Sequence, residues 1–180
     1  NIGDVYGNVD LKVNVTGNIT GLVYIYVDGF KHEIVNASKY TNDTTVFTVS
    51  LNNVSAGDHV ITVEYPGDEI HFNNTVSMEL FIKKANSYVN ITNYVNATYN
   101  TTSVLVNFTV ENRTNVYINV TNDKGENVYY NFTDNNHIIF TNLDAGKYLI
   151  VITNMGSANY NATFNSTYFW VLKADTFVNV

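Results

Sequence analysis

Two stretches of the chain repeat each other at a constant separation of 89 residues. NVSAGDHVITV at 53–63 and NLDAGKYLIVI at 142–152 align, and the alignment continues without an overall gap from 53–91 to 142–180. Further upstream, VDLKVNV at 9–15 matches VLVNFTV at 104–110, and VYIYV at 23–27 matches VYINV at 116–120. A repeat of about ninety residues is longer than the 20–50 residues of solenoid units and predicts a domain that folds twice.

Within each copy, apolar residues alternate with polar ones, which is the period of a half-buried strand. Clusters of Gly, Asn and Asp separate these runs and predict turns. Short strands with one apolar face each must bury that face against a second sheet. The predicted fold class is all-β, two tandem β-sandwich domains. The residues predicted to face inward in the first copy are Val9, Leu11, Val13, Val15, Val23, Ile25, Val27, Phe47, Val49, Leu51, Ile61, Val63, Tyr65, Met78, Leu80 and Ile82.

Charge and composition exclude several classes of function. The net charge is −7 and the nine basic residues are scattered, which argues against a nucleic-acid partner. No apolar run approaches the roughly 20 residues that span a bilayer, so we expect no membrane insertion in this segment. The chain has no cysteine, which removes disulfides, thiolate metal sites and cysteine nucleophiles.

The repeated Ala-Gly pairs predict a structural corner in each copy. Gly57 and Gly146 lie where one predicted strand ends and the next begins, and glycine permits a turn that a β-carbon would strain. The ring two residues later belongs to Tyr148 or His59. A tyrosine at this corner of a sandwich often bonds back to the backbone. We predict that role for Tyr148, with His59 as its substitute in the first copy.

These motifs resemble the immunoglobulin-like repeats of archaeal cell-surface adhesin-like proteins, those of methanogens in particular. The first copy carries YGN (6–8), VDG (27–29), VSAGDHVITVEYPGD (54–68), FNNT (72–75) and FIKKA (81–85). The second carries LDAGKYLIVI (143–152), NYNAT (159–163) and VLKA (171–174), and departs from the pattern at 154–157, where NMGS replaces YPGD. The resemblance implies immunoglobulin-like sandwiches at the cell surface and a role in adhesion or display.

Asparagine is the most over-represented residue, with thirty copies, and many stand in Asn-x-Ser/Thr acceptor sites for N-glycosylation. Chance would give about five such sites, or roughly ten if the outward face is rich in Ser and Thr, since residues i and i+2 share a face. Glycosylation and a neutral, soluble amide face therefore both remain open. The candidate asparagines are Asn14, Asn18, Asn36, Asn42, Asn53, Asn73, Asn90, Asn96, Asn100, Asn107, Asn112, Asn119, Asn131, Asn161 and Asn165.

No catalytic or metal-binding pattern is evident, and we predict no cofactor, no metal and no enzyme activity. The four histidines have no metal-ligand spacing, and no serine lies in a Gly-x-Ser-x-Gly elbow.

Phe81 and Trp170 lie at matched positions opposite the inward residues of their strands. They are candidates for a contact at the sandwich edge or domain junction, or for a stacking platform for sugar rings.

The repeat sets the predicted domain boundaries at 1–84 and 85–173, with almost no linker, so we expect a semi-rigid pair. Residues 174–180 begin a further copy, because TFVNV (176–180) matches SYVNI (87–91), the first strand of the second copy. The segment is the first strand of a following repeat in a longer array, or a strand donated to the next molecule of a filament.

The predicted function is a non-enzymatic structural or adhesive stalk segment of an extracellular cell-surface protein. Its expected partners are further copies of the repeat, in a longer chain or a filament, and surface glycans or proteins of a host or partner cell. The alternatives are a carbohydrate- or protein-binding module and a strand-donating filament subunit.

Overall fold

The computed structural model describes residues 4–39 and 44–179, except for the side chains of residues 39, 44 and 45. The chain divides into two compact units, Asn1–Ala85 (unit 1) and Asn86–Val180 (unit 2). The division lies one residue from the boundary predicted from the repeat. Among the described residues, no helix is long and apolar enough to cross a membrane.

Unit 2 consists of two sheets that face each other. One sheet has the order β11-β10-β13-β14-β8 and the other has the order β12-β9-β7. All pairings are antiparallel except that of β8 with β14, which is parallel. The strands are β7 (Tyr88–Val95), β8 (Ala97–Thr98), β9 (Val104–Glu111), β10 (Val116–Asn122), β11 (Asn127–Phe132), β12 (His137–Phe140), β13 (Gly146–Asn154) and β14 (Thr163–Leu172).

Within the described residues, unit 1 repeats this plan with one strand fewer in each sheet. Its larger sheet has the order β3-β2-β5-β6, and its smaller sheet is the pair β1-β4. A short 3-10 turn at Ala37–Lys39 follows β3. The strands are β1 (Asp10–Thr16), β2 (Leu22–Val27), β3 (Phe30–Asn36), β4 (Thr44–Ser50), β5 (Gly57–Tyr65) and β6 (Asn74–Ile82).

This strand order is that of an immunoglobulin-like β-sandwich. In unit 2, β7, β9 and β12 correspond to strands A, B and E of that fold, and β10, β13 and β14 to strands C, F and G. The predicted fold class, all-β with immunoglobulin-like sandwiches, is confirmed. Unit 1 has the same order of B, E, C, F and G but no described counterpart of strand A.

Each unit has its own hydrophobic core between its sheets. The core of unit 1 is centred on residues such as Val23, Ile25, Leu51 and Ile61, each fully buried. The core of unit 2 includes Phe108 and a row of stacked rings from Phe140 through Phe169 to Tyr148. Strand alternation explains the arrangement, since the buried residues of β13 and β14 are every second residue.

One predicted core residue lies outside the core. Met78 is 42% exposed, although Leu80 and Ile82 on the same strand are buried. The reason is local, because no described strand of unit 1 covers this half of β6. The side chain instead lines an open groove.

Candidate functional site

The most distinctive feature of unit 2 is a seam in which its first strands run along its last. β7 pairs with β9 in one sheet, and after Asn96 the chain crosses to the other sheet, where β8 pairs with β14. The first and last strands therefore run in the same direction. The chain enters unit 2 beside Asn161 and leaves it after Leu172, at the other end of β14, about 30 Å away for ten residues in a strand.

Hydrogen bonds join the two sides of this seam along its whole length. At the entry end, Ser87 Oγ donates to the carbonyl oxygen of Asn161 at 2.7 Å. In the middle, Asn165 Nδ2 donates to the carbonyl oxygen of Val89 at 3.1 Å. Near the exit, the Trp170 amide donates to Asn96 Oδ1 at 2.9 Å and the Tyr99 amide to the carbonyl oxygen of Leu172 at 2.8 Å.

Unit 1 contains only the exit half of the same seam. Val5 and Lys83 form a parallel bridge, in which the Tyr6 amide donates to Lys83 O at 2.9 Å and the Lys83 amide to Asp4 O at 2.8 Å. These contacts match those of Tyr99 and Leu172 in unit 2. Within the described residues, nothing in unit 1 corresponds to β7.

An open groove of about 510 Å³ occupies the position of that strand in unit 1. One wall is β1, whose inward side chains Leu11, Val13 and Val15 face the groove. The other wall is β6 and the loop before it. This second wall exposes large apolar side chains: Ile70 (84%), Phe72 (95%), Val76 (60%) and Met78 (42%).

The predicted corner residues lie at the start of β5 and β13. The Tyr148 hydroxyl donates to the carbonyl oxygen of Asp144 at 2.8 Å. His59 Nε2 lies 2.8 Å from the carbonyl oxygen of Ser55, also four residues upstream, and its Nδ1 lies 2.7 Å from Asp28 Oδ2. Both ring nitrogens of His59 thus face acceptors, and the ring makes both bonds when each nitrogen carries a proton.

The two corner glycines differ. Gly57 has a φ of +132°, a conformation that residues with a β-carbon rarely adopt. The prediction that Gly146 meets the same strain is wrong, because its φ lies outside the left-handed region and a β-carbon there would come no closer than 3.9 Å, to the Tyr148 ring. A corner of this kind therefore does not by itself require glycine.

Sequence reasoning missed the importance of Asn154, a fully buried polar residue at the end of β13. Its Oδ1 accepts hydrogen bonds from the Thr114 amide (2.9 Å) and hydroxyl (2.8 Å), and its Nδ2 donates to Asn112 O at 3.0 Å. It therefore ties β13 to the loop between β9 and β10. Tyr65 occupies the matched position in unit 1 and donates its hydroxyl to Thr20 O in the matched loop. The only sequence signal for this contact was that Asn154 and Tyr65 occupy matched positions of the repeat, although their residue types differ.

Asp68 is the hub of the loop between β5 and β6. Its carboxylate accepts hydrogen bonds from the Thr20 hydroxyl (3.0 Å), the Ile70 amide (3.0 Å) and the His71 amide (2.7 Å), and its Oδ1 lies 2.8 Å from His71 Nδ1. Partial burial opposes ionisation, but the polar groups of Tyr65, His71, Ile70 and Thr20 around the carboxylate outweigh it and lower the pKa of Asp68 below its usual value. Burial and the nearby Asp68 charge raise the pKa of Tyr65 to about 12.

The structure gives no described acceptor asparagine a buried position. Asn42 lies outside the described residues. Asn107, Asn112, Asn119 and Asn165 are partly exposed and the other ten are exposed: Asn14, Asn18, Asn36, Asn53, Asn73, Asn90, Asn96, Asn100, Asn131 and Asn161. The nitrogen that would carry a sugar is already a hydrogen-bond donor in Asn112, Asn161 and Asn165.

Phe81 and Trp170 lie on the outer faces of β6 and β14, 56% and 38% exposed. Their surroundings differ. Phe81 pairs with Asp58 across the strands, whereas Trp170 pairs with Lys147, whose ammonium lies 5.6 Å from the Trp170 ring centroid and 3.9 Å from that of Tyr168. Trp170 therefore belongs to a cluster of rings on the outer face of unit 2, and Phe81 does not.

Within residues 4–39 and 44–179, no three acidic, histidine or cysteine side chains lie close enough together to hold a metal ion. Three of the histidines have polar partners: His32 bonds to Ser50 O, His59 to Asp28 and Ser55, and His71 to Asp68. His137 is an exposed residue of β12. These contacts are of the kind that fix loops and strand edges.

No protein-family model and no curated protein sequence matches this chain. Among solved structures, the chain is similar to the fibronectin(III)-like modules of CbhA from Clostridium thermocellum, with 11% identity, a TM-score of 0.39 and coverage of 99% of this chain and 95% of that one. It is also similar to the amphioxus IgVJ-C2 molecule, with 11% identity, a TM-score of 0.40 and coverage of 94% and 100%. The immunoglobulin-like assignment rests on the strand order within each unit.

The candidate site of unit 2 is therefore a set of contacts between strands. In the seam, hydrogen bonds join the segment by which the chain enters the unit to β14, the strand by which it leaves. The groove of unit 1 lies at the matched position and is lined mainly by apolar side chains.

Proposed function

We propose that this chain is a non-enzymatic structural segment of an extracellular cell-surface protein, in which sandwich units add length and resist tension. The observation that carries the proposal is the parallel seam of unit 2. Because the chain enters at one end of β14 and leaves at the other, the unit contributes the length of a strand between its neighbours along the chain.

The same geometry explains how a unit would resist pulling. Tension applied at residues 86 and 173 acts along β7, β8 and β14, and so loads the bonds of Ser87, Asn165 and Tyr99 together in shear. Each such bond contributes about 1 kcal/mol net, but several loaded at once must break together. A seam of this kind suits a stalk better than a hinge.

The surface is consistent with an extracellular position. Ten acceptor asparagines are exposed, and the core requires no disulfide because it is closed by aliphatic and aromatic packing. We propose that part of the exposed set carries N-linked sugar and that the whole protein is an adhesin-like protein of an archaeon, whose other copies of the repeat continue the stalk. Surface glycans or proteins of another cell are its proposed partners.

Single-molecule stretching tests the proposal. The chain is pulled between handles attached at its two ends, and the Ser87→Ala, Asn165→Ala double variant is compared with Ser166→Ala, an exposed residue of β14 whose hydroxyl makes none of the seam hydrogen bonds described above. We expect the double variant to unfold roughly tenfold faster at a given force, since about 1.4 kcal/mol corresponds to tenfold. Equal unfolding rates would show that the seam does not carry the load.

Sugar attachment has its own test. The chain is produced in a host that performs N-glycosylation, and occupied sites are mapped by mass spectrometry. We expect sugar at exposed asparagines such as Asn18 and Asn73, and none at Asn112 or Asn165, whose Nδ2 atoms hold backbone carbonyls. An entirely unmodified chain would favour the neutral amide face instead.

A second candidate function, a binding module, is favoured by the ring cluster on the outer face of unit 2. Tyr117 stacks on Tyr130 with centroids 5.1 Å apart, and Phe132 lies against Tyr117. Across the sheet, Phe164 and Tyr168 are 69% and 46% exposed. Exposed rings on a flat sheet can stack against sugar rings or bind an apolar protein surface.

Trp170 provides the readout for this candidate, because it is the only tryptophan in the chain. Titration with soluble oligosaccharides, followed by Trp170 fluorescence, is compared between the native chain and Tyr168→Ala. A saturable change that Tyr168→Ala weakens supports a sugar-binding face. A flat titration with every sugar tested removes the sugar-binding form of this candidate and leaves the structural proposal unaffected.

A further inference from the structure

The outer face of the larger sheet of unit 2 carries one of the acceptor asparagines, and aromatic rings surround it. Asn119 lies on β10, and the Thr121 that completes its acceptor site is two residues further along the same face. Tyr117 lies two residues before Asn119 and also faces outward. Asn119 pairs directly with Tyr130 of β11. Both rings are near the acceptor, since opposed residues have β-carbons about 5 Å apart and residues i and i+2 of a strand are roughly 7 Å apart.

These rings form a continuous apolar surface beside Asn119. Tyr117 stacks on Tyr130 with centroids 5.1 Å apart and an angle of 18° between the rings. Tyr130 is 62% exposed, and Phe132, which lies against Tyr117, is 52% exposed. The C–H face of a sugar ring packs well on an exposed aromatic ring, because both surfaces are flat and apolar. A sugar attached to Asn119 would therefore find a surface to pack on without leaving the sheet.

The amide group of Asn119 is held in a way that suits attachment. Asn127 Nδ2 donates a hydrogen bond to Asn119 Oδ1 at 2.7 Å. Within residues 4–39 and 44–179, Asn119 Nδ2 takes part in no hydrogen bond. Asn112 and Asn165 differ, because their Nδ2 atoms donate to backbone carbonyls. In Asn119 the oxygen is thus fixed and the nitrogen that would carry a sugar is free.

Unit 1 has neither the acceptor nor the opposing ring at this place. The repeat matches VYINV at 116–120 with VYIYV at 23–27, so Tyr26 stands where unit 2 has Asn119. Tyr26 pairs with Lys31, whereas Asn119 pairs with Tyr130. The acceptor and the ring opposite it therefore differ together between the two copies.

The far side of the same face follows this trend. On β14, Phe164 and Tyr168 are 69% and 46% exposed, and the matched residues of unit 1 are Thr75 and Glu79. Unit 2 thus places rings where unit 1 has polar or charged side chains. An apolar face of this size calls for a cover, and the acceptor lies on the face itself.

We propose that Asn119 carries an N-linked glycan whose first sugar packs against Tyr117 and Tyr130. The protein's own sugar then covers the ring cluster of unit 2. The inference rests on the N-glycosylation proposed above and deepens it, since it assigns one site and gives the sugar there a structural role. It also gives the ring cluster a covalent occupant in place of a separate ligand.

The attachment is a transfer of sugar from a lipid-linked oligosaccharide phosphate by the oligosaccharyltransferase of the producing cell. A bond forms between Asn119 Nδ2 and the anomeric carbon of the first sugar. The bond between that carbon and the phosphate oxygen of the lipid breaks, and the lipid phosphate leaves with the bonding electrons. Nδ2 gives up one of its two protons to a base of the transferase. The exchange involves no oxidation or reduction.

A thermodynamic cycle tests the contact between sugar and ring. The chain is produced in a host whose N-linked sugar begins with N-acetylglucosamine, and mass spectrometry maps the occupied sites. Thr121→Ala removes the acceptor site but keeps Asn119 and its bond to Asn127, and Tyr130→Thr removes an exposed ring. Urea unfolding followed by Trp170 fluorescence compares the native chain, each variant and the double variant.

The proposal predicts that the sugar and the ring depend on each other. Tyr130→Thr should raise the unfolding equilibrium constant of unit 2 about fivefold more when Asn119 carries sugar than in the Thr121→Ala background, since a ring contact contributes about 1 kcal/mol. Tyr88→Thr is the matched control, because Tyr88 is a strand tyrosine of similar exposure (57%) on the other sheet. Its effect should be the same in both backgrounds.

Nuclear magnetic resonance gives a reading that does not depend on stability. Protons of a sugar that lies over an aromatic ring resonate upfield because of the ring current. We expect this shift for the first sugar on Asn119 but not for a sugar on Asn53, an exposed asparagine in the turn before β5. Tyr130→Thr should remove the shift.

The outcomes separate this inference from the proposed function. Sugar at Asn119 with no dependence on Tyr130 and no upfield shift would overturn the packing and leave glycosylation intact. An empty Asn119 in a chain that carries sugar at Asn18 and Asn73 would also overturn it. Saturable binding of a soluble oligosaccharide to that empty face would show that the occupant is a separate molecule. A chain with no sugar at any site would remove both this inference and the glycosylation on which it rests.

Discussion

Tyr148 donates its hydroxyl to the carbonyl oxygen of Asp144 at 2.8 Å, four residues upstream in the corner that leads into β13. His59 makes the matched contact with Ser55 in unit 1 at the same distance. Two side chains of different chemistry thus close the same corner. The two copies therefore share the position of a hydrogen-bond donor at this corner but not the residue type.

Removing the Tyr148 hydroxyl should weaken unit 2 modestly. Tyr148→Phe keeps the ring stacked on Phe169 but loses the bond to Asp144, at a cost of about 1 kcal/mol. Urea unfolding followed by Trp170 fluorescence measures the change. Tyr88→Phe, at an exposed tyrosine of the same unit, is the control and should change the free energy of unfolding little; a loss as large as that of Tyr148→Phe would contradict a specific corner bond.

Substitution of Asn154 should destabilise unit 2 far more than substitution of an exposed asparagine. Asn154→Leu leaves the Thr114 amide and the Asn112 carbonyl without their partner in a buried place, which we expect to cost about 2–4 kcal/mol. The same urea experiment measures it, with Asn159→Leu in the following loop as the comparison. A change below about 0.5 kcal/mol would mean that the loop between β9 and β10 is held by other contacts.

Gly156 should resist substitution because of both its φ and its neighbours. Its φ is +74°, and a β-carbon there would lie 2.7 Å from Ala162 N and Tyr160 O. Gly125 has a similar φ of +80° but open space around it. Gly156→Ala should therefore cost about 2 kcal/mol more than Gly125→Ala, which bears only the conformational term of about 1 kcal/mol. Equal thermal shifts for the two variants would refute the close approach.

As the pH is lowered, unit 1 should lose stability at a higher pH than unit 2. Hydrogen bonds from His59 and the Val60 amide lower the pKa of Asp28, and those around Asp68 lower its pKa in spite of partial burial. A carboxyl whose pKa is lower in the folded state stabilises the fold above its unfolded value of about 3.8, and that stabilisation is lost as the pH falls through the folded value. Unit 2 has Ser157 at the place of Asp68.

Amide exchange measured from about pH 6 downward compares the stability of the two units as the pH falls. We expect protection in β5 and β6 to fall at higher pH than protection in β13 and β14. Asp68→Asn should weaken unit 1 near neutral pH and reduce its further loss on acidification. Identical acid profiles for the native chain and this variant would contradict the account of Asp68.

The sequence predicts most of the strands because alternation directly reports which side chains are inward. Val23, Ile25, Val49 and Ile61 are buried as that pattern requires. It misplaces Met78, since alternation gives the face of a strand and not whether another strand lies over that face.

Features that depend on three-dimensional neighbours were beyond the pattern. Asn154 looks like any other asparagine in a chain that has thirty, and only the surrounding loop reveals that it is buried and fully hydrogen-bonded. The parallel bridge of Val5 with Lys83 involves two isolated residues and leaves no periodic signal. Gly146 illustrates the opposite error: the prediction gave both corner glycines a backbone strain that Gly57 has and Gly146 does not.

The central claim is that the repeat encodes two sandwiches that each fold and unfold alone, which is what a stalk built by addition requires. Amide exchange of the whole chain carrying Phe169→Ala tests it most directly, because Phe169 is fully buried in unit 2 and its truncation should cost about 3–5 kcal/mol. We predict faster exchange in the strands from β7 to β14 and unchanged exchange from β1 to β6. Faster exchange across both sets of strands would show one cooperative fold and contradict the claim.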